Sequence, residues 1–447
     1  MRVIGKIVNG VGFKAALIAA LALVMLIPAA MVRQLVNERS DRAEEVEAEI
    51  LGSWGGGLEF AGPVLRVPCV RIEESTFRDD RGKETKSLRE APFDLWISPA
   101  TVVIDAGLST LRKERGIFSV PVFSGELAME GRFDASEALA SLGRNETARL
   151  EQAEMVIPIE NQKGLRGIGP SLWAGRPLAF KPGDAGFGLL AGGVRAPVAV
   201  EAGTPAEFRV AVTVQGGGRI RVLPLGESAR VSIRADWPSP SYRGDYLPGN
   251  QSLDERGFEA AWDVSYLSRG VPLYWTDSAQ SRERLSRAFL GVDFLEVLDR
   301  YALSERAVKY ALLFIVVPFI TLFMLELFTR REVHPVQYLL AGIANLVFYL
   351  LLLSLSEHVP FGAAYVSAAA AVTLMIFLYS RSLFGPSGKA WSMGLVMAVS
   401  YLYLYVTLRS EDWALLIGAV GAFAAVGLVM LVTRNVDWFG RGQRPPA

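Results

Sequence analysis

Hydrophobic positions in this chain follow two rhythms, and the change between them divides it. Toward the C-terminus they form unbroken blocks. Val336 to Ser356 carries no charged side chain, a length that crosses a hydrocarbon core of about 30 Å as a helix. Comparable blocks occupy 310–328, 361–379, 390–408 and 413–432, and another lies near the start at 15–32. The pattern predicts six transmembrane helices, one N-terminal and five C-terminal. The first run is too long for a signal-peptide core and lacks small residues three apart at its end, so an uncleaved anchor is expected.

Between residues 33 and 293 the rhythm is different. Val36, Ala43, Val46 and Ile50 recur at helical spacing beside Glu38, Arg39, Asp41, Arg42, Glu45 and Glu49, which predicts a helical stalk over 33–52. Gly55-Gly56-Gly57 ends it and is no phosphate loop, because the lysine and hydroxyl residue of that motif are missing. Period-two stretches then alternate with Gly, Pro, Asp and Asn. Examples are 64–68, 93–97, 101–104, 208–214, 219–223 and 230–235, with Gln215-Gly216-Gly217-Gly218 as the turn between two of them. This texture predicts a large antiparallel, β-sandwich-like domain over 53–293. Glu73 to Glu90, rich in charge of both signs, reads as a solvated excursion from the sheet. Helical spacing returns at 294–309, a connecting helix into the five-helix block at 310–433.

Charge decides orientation. Arg2, Lys6, Lys14, Arg330, Arg331, Arg381, Lys389, Arg434, Arg441 and Arg444 fall in short segments on one side, against Arg409 on the other. By the positive-inside rule, residues 1–14 and the tail 434–447 are cytoplasmic and the β-rich domain is external. The mean hydropathy of +0.29 agrees with a membrane protein, and a formal net charge of +0 gives no reason to expect nucleic acid. Cys69, the single cysteine, excludes an intrachain disulfide framework and a multi-cysteine metal site. No cofactor is expected.

Several long motifs occur in order along nearly the whole chain. They are Glu38-Arg39 with Ser53-Trp54-Gly55; Gly62-Pro63-Val64; Arg166-Gly167-Ile168-Gly169; and Trp237-Pro238-Ser239-Pro240-Ser241-Tyr242 with Gly244-Asp245-Tyr246-Leu247-Pro248. Arg306-Ala307-Val308-Lys309-Tyr310 follows, then His334-Pro335 with Gln337-Tyr338-Leu339-Leu340, Phe348 to Leu352, Ser356-Glu357-His358, and Thr433-Arg434-Asn435 with Asp437-Trp438. In these the chain resembles the CreD family of bacterial inner-membrane proteins. The resemblance implies a multi-pass inner-membrane location and a tie to cell-envelope integrity, the CreBC two-component regulon and the β-lactam response. It brings no catalytic residues.

Polar residues inside a membrane are costly and so become candidates. Glu326 sits near the end of its span, four residues before Arg330, and Asn345 lies mid-span as interhelical glue or the lining of a polar path. Glu357 and His358 lie at the far end of the same span. Adjacent helical residues point about 100° apart, so they do not chelate one ion together. His334 and Gln337 belong at the helix entry, with Pro335 suited to its first turn. In the β-rich domain, Trp237, Tyr242, Asp245 and Tyr246 form a rigid loop that reads as a weak binding candidate. The chain's two histidines are His334 and His358, so a Ser-His-Asp triad within the β-rich domain is excluded. The expected partners are membrane lipids, and beyond them another envelope protein or a periplasmic glycan or lipid. The expected function is sensing, scaffolding or binding without catalysis. The alternative is a transporter or a lipid- or glycan-modifying enzyme that uses the membrane block.

Overall fold

The computed structural model describes residues 11–78, 84–276, 278–294, 300–329, 331–385, 388–410 and 413–434. The chain forms two compact units, residues 1–44 with 298–447 and residues 45–297.

The first unit is helical. Its helices are α1 (Val11–Val24), the first part of α2 (Leu26–Trp54), α3 (Arg300–Lys309), α4 (Ala311–Thr329), α5 (Pro335–Ser356), α6 (Phe361–Phe384), α7 (Gly388–Arg409) and α8 (Ala414–Thr433). Among the described residues, five helical stretches are long and apolar enough to cross a membrane: Gly12–Trp54, α4, α5, α6 and Trp391–Arg409. The sixth span is α8, twenty residues without a charged side chain. The turn at Met25 that separates α1 from α2 has a local cause. Pro28 has no N–H to give the carbonyl of Val24 four residues back, so the helical ladder is interrupted there. From Leu26, α2 runs unbroken through the polar stretch after Arg33. Of the expected connecting helix, residues 295–299 lie outside the described residues, as do Arg330 and the tail from 435.

Tight packing around α5 depends on a small residue. A Cβ on Gly342 would stand 2.7 Å from the Met25 sulfur and 3.1 Å from the Phe319 ring, so glycine lets α4 and the α1–α2 turn approach together.

The second unit is one sandwich. Among the described residues an 11-stranded sheet runs, along its main path, Pro240–Gly244, Leu290–Phe294, Arg219–Leu223, Leu58–Ala61, Glu154–Ile159, Val64–Arg78, Glu84–Ile97, Tyr274–Thr276. A 9-stranded sheet runs Arg176–Pro177, Leu172–Trp173, Ala206–Gly217, Phe118–Phe133, Thr101–Arg115, Ser228–Ala235, Gly257–Ser265, Asn250–Asp254. Pairing is mostly antiparallel. The exceptions are Leu58–Ala61 beside Arg219–Leu223 and Thr101–Leu108 beside Ser228–Ala235, both parallel.

The two sheets share a core. Phe60, Leu65, Val67 and Val222 from the first meet Ile104, Met129, Val210, Val231 and Trp262 from the second. Alternation puts Val102, Ile104, Ala106 and Leu108 inward along one strand. The first sheet is buried on both faces. Ala61, Val64, Trp96, Val156 and Leu223 point to its other side, where Phe187, Leu190, Val271 and Leu285 cover them. This is why Val64 and Leu65 are both buried and the period-two signal blurs there.

Two sequence expectations change. The glycine run at 215–218 does not close a hairpin: Ala206–Gly217 and Arg219–Leu223 belong to different sheets, and Gly218 alone, at φ +72°, turns the chain between them. The charged stretch from Glu73 is no excursion either. Val64–Arg78 and Glu84–Ile97 pair in register out to Arg78 opposite Glu84, so the charges decorate a long ladder. Residues 79–83 at its tip lie outside the described residues.

The C-terminal part of α2 belongs to the sandwich unit. Val46 and Ile50 are buried against Val120 and Val122, the Trp54 indole N–H donates to the Phe123 carbonyl (3.3 Å), and Lys113 lies 4.3 Å from the Trp54 ring centroid. Glu49 pairs with Arg115.

Candidate functional site

The polar residues singled out in the membrane block converge on α5. Its buried face carries Tyr338, Gly342, Asn345, Tyr349, Leu352 and Ser356, spaced by three, four or seven residues. At about 1.5 Å rise per residue, this spreads polar groups along most of the helix.

At the first end, His334 and Gln337 form a reciprocal cap. The His334 Nδ1 accepts from the Val336 N–H (3.4 Å), Gln337 Oε1 accepts from the His334 N–H (2.9 Å), and Pro335 takes the first helical position. One turn on, the Tyr338 hydroxyl donates to Glu326 Oε2 at 2.8 Å. Glu326 falls on the buried stripe of α4 with Phe319 and Leu322, and its other oxygen takes the ammonium of Lys14 from α1. Tyr338 is fully buried, and the Glu326 side chain is 9% exposed against 29% for Lys14. Three helices are thus held at one carboxylate. Arg330, the neighbour expected from sequence, lies outside the described residues.

Mid-helix, Asn345 answers a defect in α4. Pro318 cannot donate to the carbonyl of Phe314, four residues back. The Asn345 amide donates to that same carbonyl, and its oxygen accepts from the Tyr401 hydroxyl of α7 at 2.5 Å. Tyr365 of α6 donates to the Tyr401 carbonyl at 2.7 Å. One side chain therefore satisfies the carbonyl that Pro318 leaves without a helical donor and ties three helices. The neighbouring Tyr349 hydroxyl is buried and meets no hydrogen-bond partner among the described residues.

At the far end Glu357 accepts from the Tyr301 hydroxyl (3.4 Å) and lies 3.9 Å from the Arg39 guanidinium. His358 is exposed beside it, so the two adjacent residues face different surroundings.

In the sandwich unit, Trp237 and Tyr242 turn inward instead of forming a surface. Trp237 is 7% exposed and sits edge-on to Phe294 (6.2 Å), while Tyr242 sits edge-on to Phe258 (6.3 Å) and Trp262 (6.1 Å). The Tyr246 carbonyl accepts from the Trp262 indole (3.0 Å), and its hydroxyl donates to the Ser268 carbonyl (3.3 Å). Burial raises the pKa of both tyrosines. Asp245 is exposed. Cys69 is buried on a sheet strand, and desolvation pushes its thiol up to about 11, so it stays protonated at neutral pH.

Sequence reasoning missed Lys14 and Arg269 as participants. For Lys14 a signal existed: it directly borders the first apolar run, Glu326 is the sole charge within 310–328, and the two are opposite in sign. Arg269 gave none. It is buried at the end of a one-turn helix, one nitrogen donates to the Pro224 carbonyl, and desolvation lowers its pKa to about 10. Among the described residues no three His, Cys, Asp or Glu side chains converge as metal ligands.

Comparison with known proteins places this arrangement. Residues 10–439 match the family described as Inner membrane protein CreD. Inner membrane protein CreD of Escherichia coli is 29% identical over 425 residues, 93% of this chain and 91% of that protein. Among solved structures, a substrate-bound mutant M1 zinc metallopeptidase from Deinococcus radiodurans aligns over 78% of this chain and 95% of its own, at 10% identity and a TM-score of 0.23. A two-domain M1 zinc metallopeptidase bound to L-tryptophan aligns over 78% and 96%, also at 10% and 0.23. Overlap that slight supports no inference about fold or chemistry. The family match, by contrast, spans both the helical bundle and the sandwich, and the chain belongs to the CreD family of inner membrane proteins.

Proposed function

We propose that this inner membrane protein is a non-catalytic scaffold of the cell envelope. Its sandwich is presented on the outer side of the membrane, both termini are cytoplasmic, and its presence supports envelope integrity and tolerance of envelope stress, β-lactams included. One observation carries the reading: the polar residues singled out in the bundle are used to hold its helices together. Glu326, Asn345 and Glu357 each join side chains or backbone from other helices, and His334 and Gln337 cap α5. A transport or transfer site keeps a polar group available for substrate at mid-membrane, whereas Asn345 spends both its amide nitrogen and its oxygen on the protein. The orientation is supported by the excess of Lys and Arg in the segments before α1, after α4, after α6 and after α8.

The orientation is tested by inserting alkaline phosphatase, which folds only outside the cytoplasm, into the exposed turn at Gly203–Thr204 and, separately, after Arg434. Activity is expected from the first fusion and absent from the second. The reverse pattern would overturn the placement.

A further inference from the structure

Helices α6 and α7 enclose a trough of about 680 Å³ on the outside of the bundle. Its floor is set by small residues, Ala369 and Ala370 from one helix and Gly394 and Ala398 from the other. Phe377 and Trp391, with ring centroids 4.8 Å apart, close one end, and Tyr365 and Tyr405, 5.0 Å apart, close the other. The rim is apolar and exposed: Val366 is 63% exposed, Leu395 66% and Leu402 63%. The volume lies inside the range of roughly 300–1,000 Å³ typical of small-molecule sites, and the lining offers almost no polar surface.

At the tyrosine end the Arg409 guanidinium lies 5.4 Å from the Tyr405 ring centroid, held over the last aromatic of the trough at the terminus of α7. The opposite end offers the Trp391 indole and, one turn beyond Phe377 in the last turn of α6, the exposed Arg381. An elongated apolar slot on membrane-spanning helices, with a guanidinium held over the aromatic ring that closes one mouth, matches a molecule with a hydrocarbon chain and a phosphate at its head.

We propose that this trough is a specific phospholipid site: the acyl chain lies between α6 and α7 over Ala370 and Ala398, and the phosphodiester meets Arg409. The site is also wired to the bundle interior. Tyr401 lines the trough, and its hydroxyl donates to Asn345, the residue that satisfies the carbonyl freed by Pro318. A bound chain therefore packs against the helix that braces α4 and α5. This goes beyond the scaffold reading, which would stand if the trough proved empty of lipid.

The full-length chain is purified in mild detergent, exchanged into phosphatidylglycerol, phosphatidylethanolamine or uncharged diacylglycerol, and examined by native mass spectrometry. Both phospholipids are expected to stay bound about tenfold more than diacylglycerol. A preference between the two phospholipids identifies the headgroup, anionic or zwitterionic, that supplies the phosphate. Ala398→Phe, which fills the trough, is expected to cut retention of both by about tenfold, whereas Val399→Phe, on the same helix but outside the lining, leaves it unchanged. Arg409→Gln, at an exposed position that should not disturb folding, is expected to bring the phospholipids down to the level of diacylglycerol. Equal retention of all three lipids by the unaltered chain would overturn the proposal. So would Ala398→Phe behaving like Val399→Phe, or Arg409→Gln holding phospholipid as the parent does.

Discussion

The bundle and the sandwich use the same polar residue types in opposite ways. In the sandwich, charges sit on outer faces as cross-strand pairs such as Arg230–Asp263 (2.8 Å), Arg209–Glu130 (3.1 Å) and Arg234–Asp105 (2.8 Å), while the core is aliphatic and aromatic. The strand ladders satisfy the backbone there, and the side chains need only fill space. In the bundle, apolar side chains gain little by leaving lipid for one another, so polar contacts such as Glu326–Tyr338 and Asn345–Tyr401 set which helices meet and where. Specificity in one unit rests on shape, in the other on a few hydrogen bonds.

That contrast can be broken most forcefully in the sandwich core. Phe60→Ala empties a fully buried position between the sheets and should cost about 3–5 kcal/mol, seen as a large fall in the thermal unfolding midpoint of the detergent-solubilised chain. A change under about 1 kcal/mol would mean that the sheets do not share a tight core. Next in size is Lys14→Met, which leaves the Glu326 carboxylate without its cation and should cost about 3 kcal/mol. Lys14→Met with Glu326→Met should recover most of that loss. A double variant as unstable as the sum of the singles would show that the pair is not a unit.

Asn345→Leu comes third, at about 1–2 kcal/mol, the range for interhelical hydrogen bonds in membranes. Here the mechanism can be sharpened. In a Pro318→Ala background the Phe314 carbonyl regains a helical donor, so the same substitution should cost measurably less. Equal costs in both backgrounds would show that Asn345 does not serve the proline defect. Smallest is Arg230→Ala, whose side chain is 65% exposed beside an equally exposed Asp263, and it should fall within about 0.5 kcal/mol of the parent at moderate salt.

The contrast also explains what the sequence could and could not say. Spans were legible because a run such as Val336 to Ser356 has no soluble counterpart at that length. Strands were legible where one face meets water, as along 101–108. Sheet membership was not, because nothing local distinguishes a hairpin turn from the single αL residue Gly218 that carries the chain across the sandwich. The ladder beyond Glu73 was hidden by exposed charged side chains, which ladder pairing tolerates. Among the candidate residues, Glu326 and Asn345 stood out by polarity alone, but their partners did not. Lys14 and Glu326 are separated by 312 residues, and Asn345 meets a backbone carbonyl that is free because Pro318, on another helix, has no N–H. Trp237 and Tyr242 pointed to a surface because Pro and Tyr suggested a rigid loop, yet their rings complete the sandwich core.

Glu326→Gln offers the most direct test of a holding role for the buried polar groups. Glutamine keeps an acceptor for the Tyr338 hydroxyl but can neither exchange a proton nor supply a negative charge, and Lys14 is exposed enough to be solvated. In cells whose own copy has been removed, at equal membrane abundance, a scaffold predicts detergent and β-lactam tolerance equal to that given by the parent chain. Tolerance as poor as with no chain at all, while the variant is present and folded, would show instead that Glu326 does chemistry.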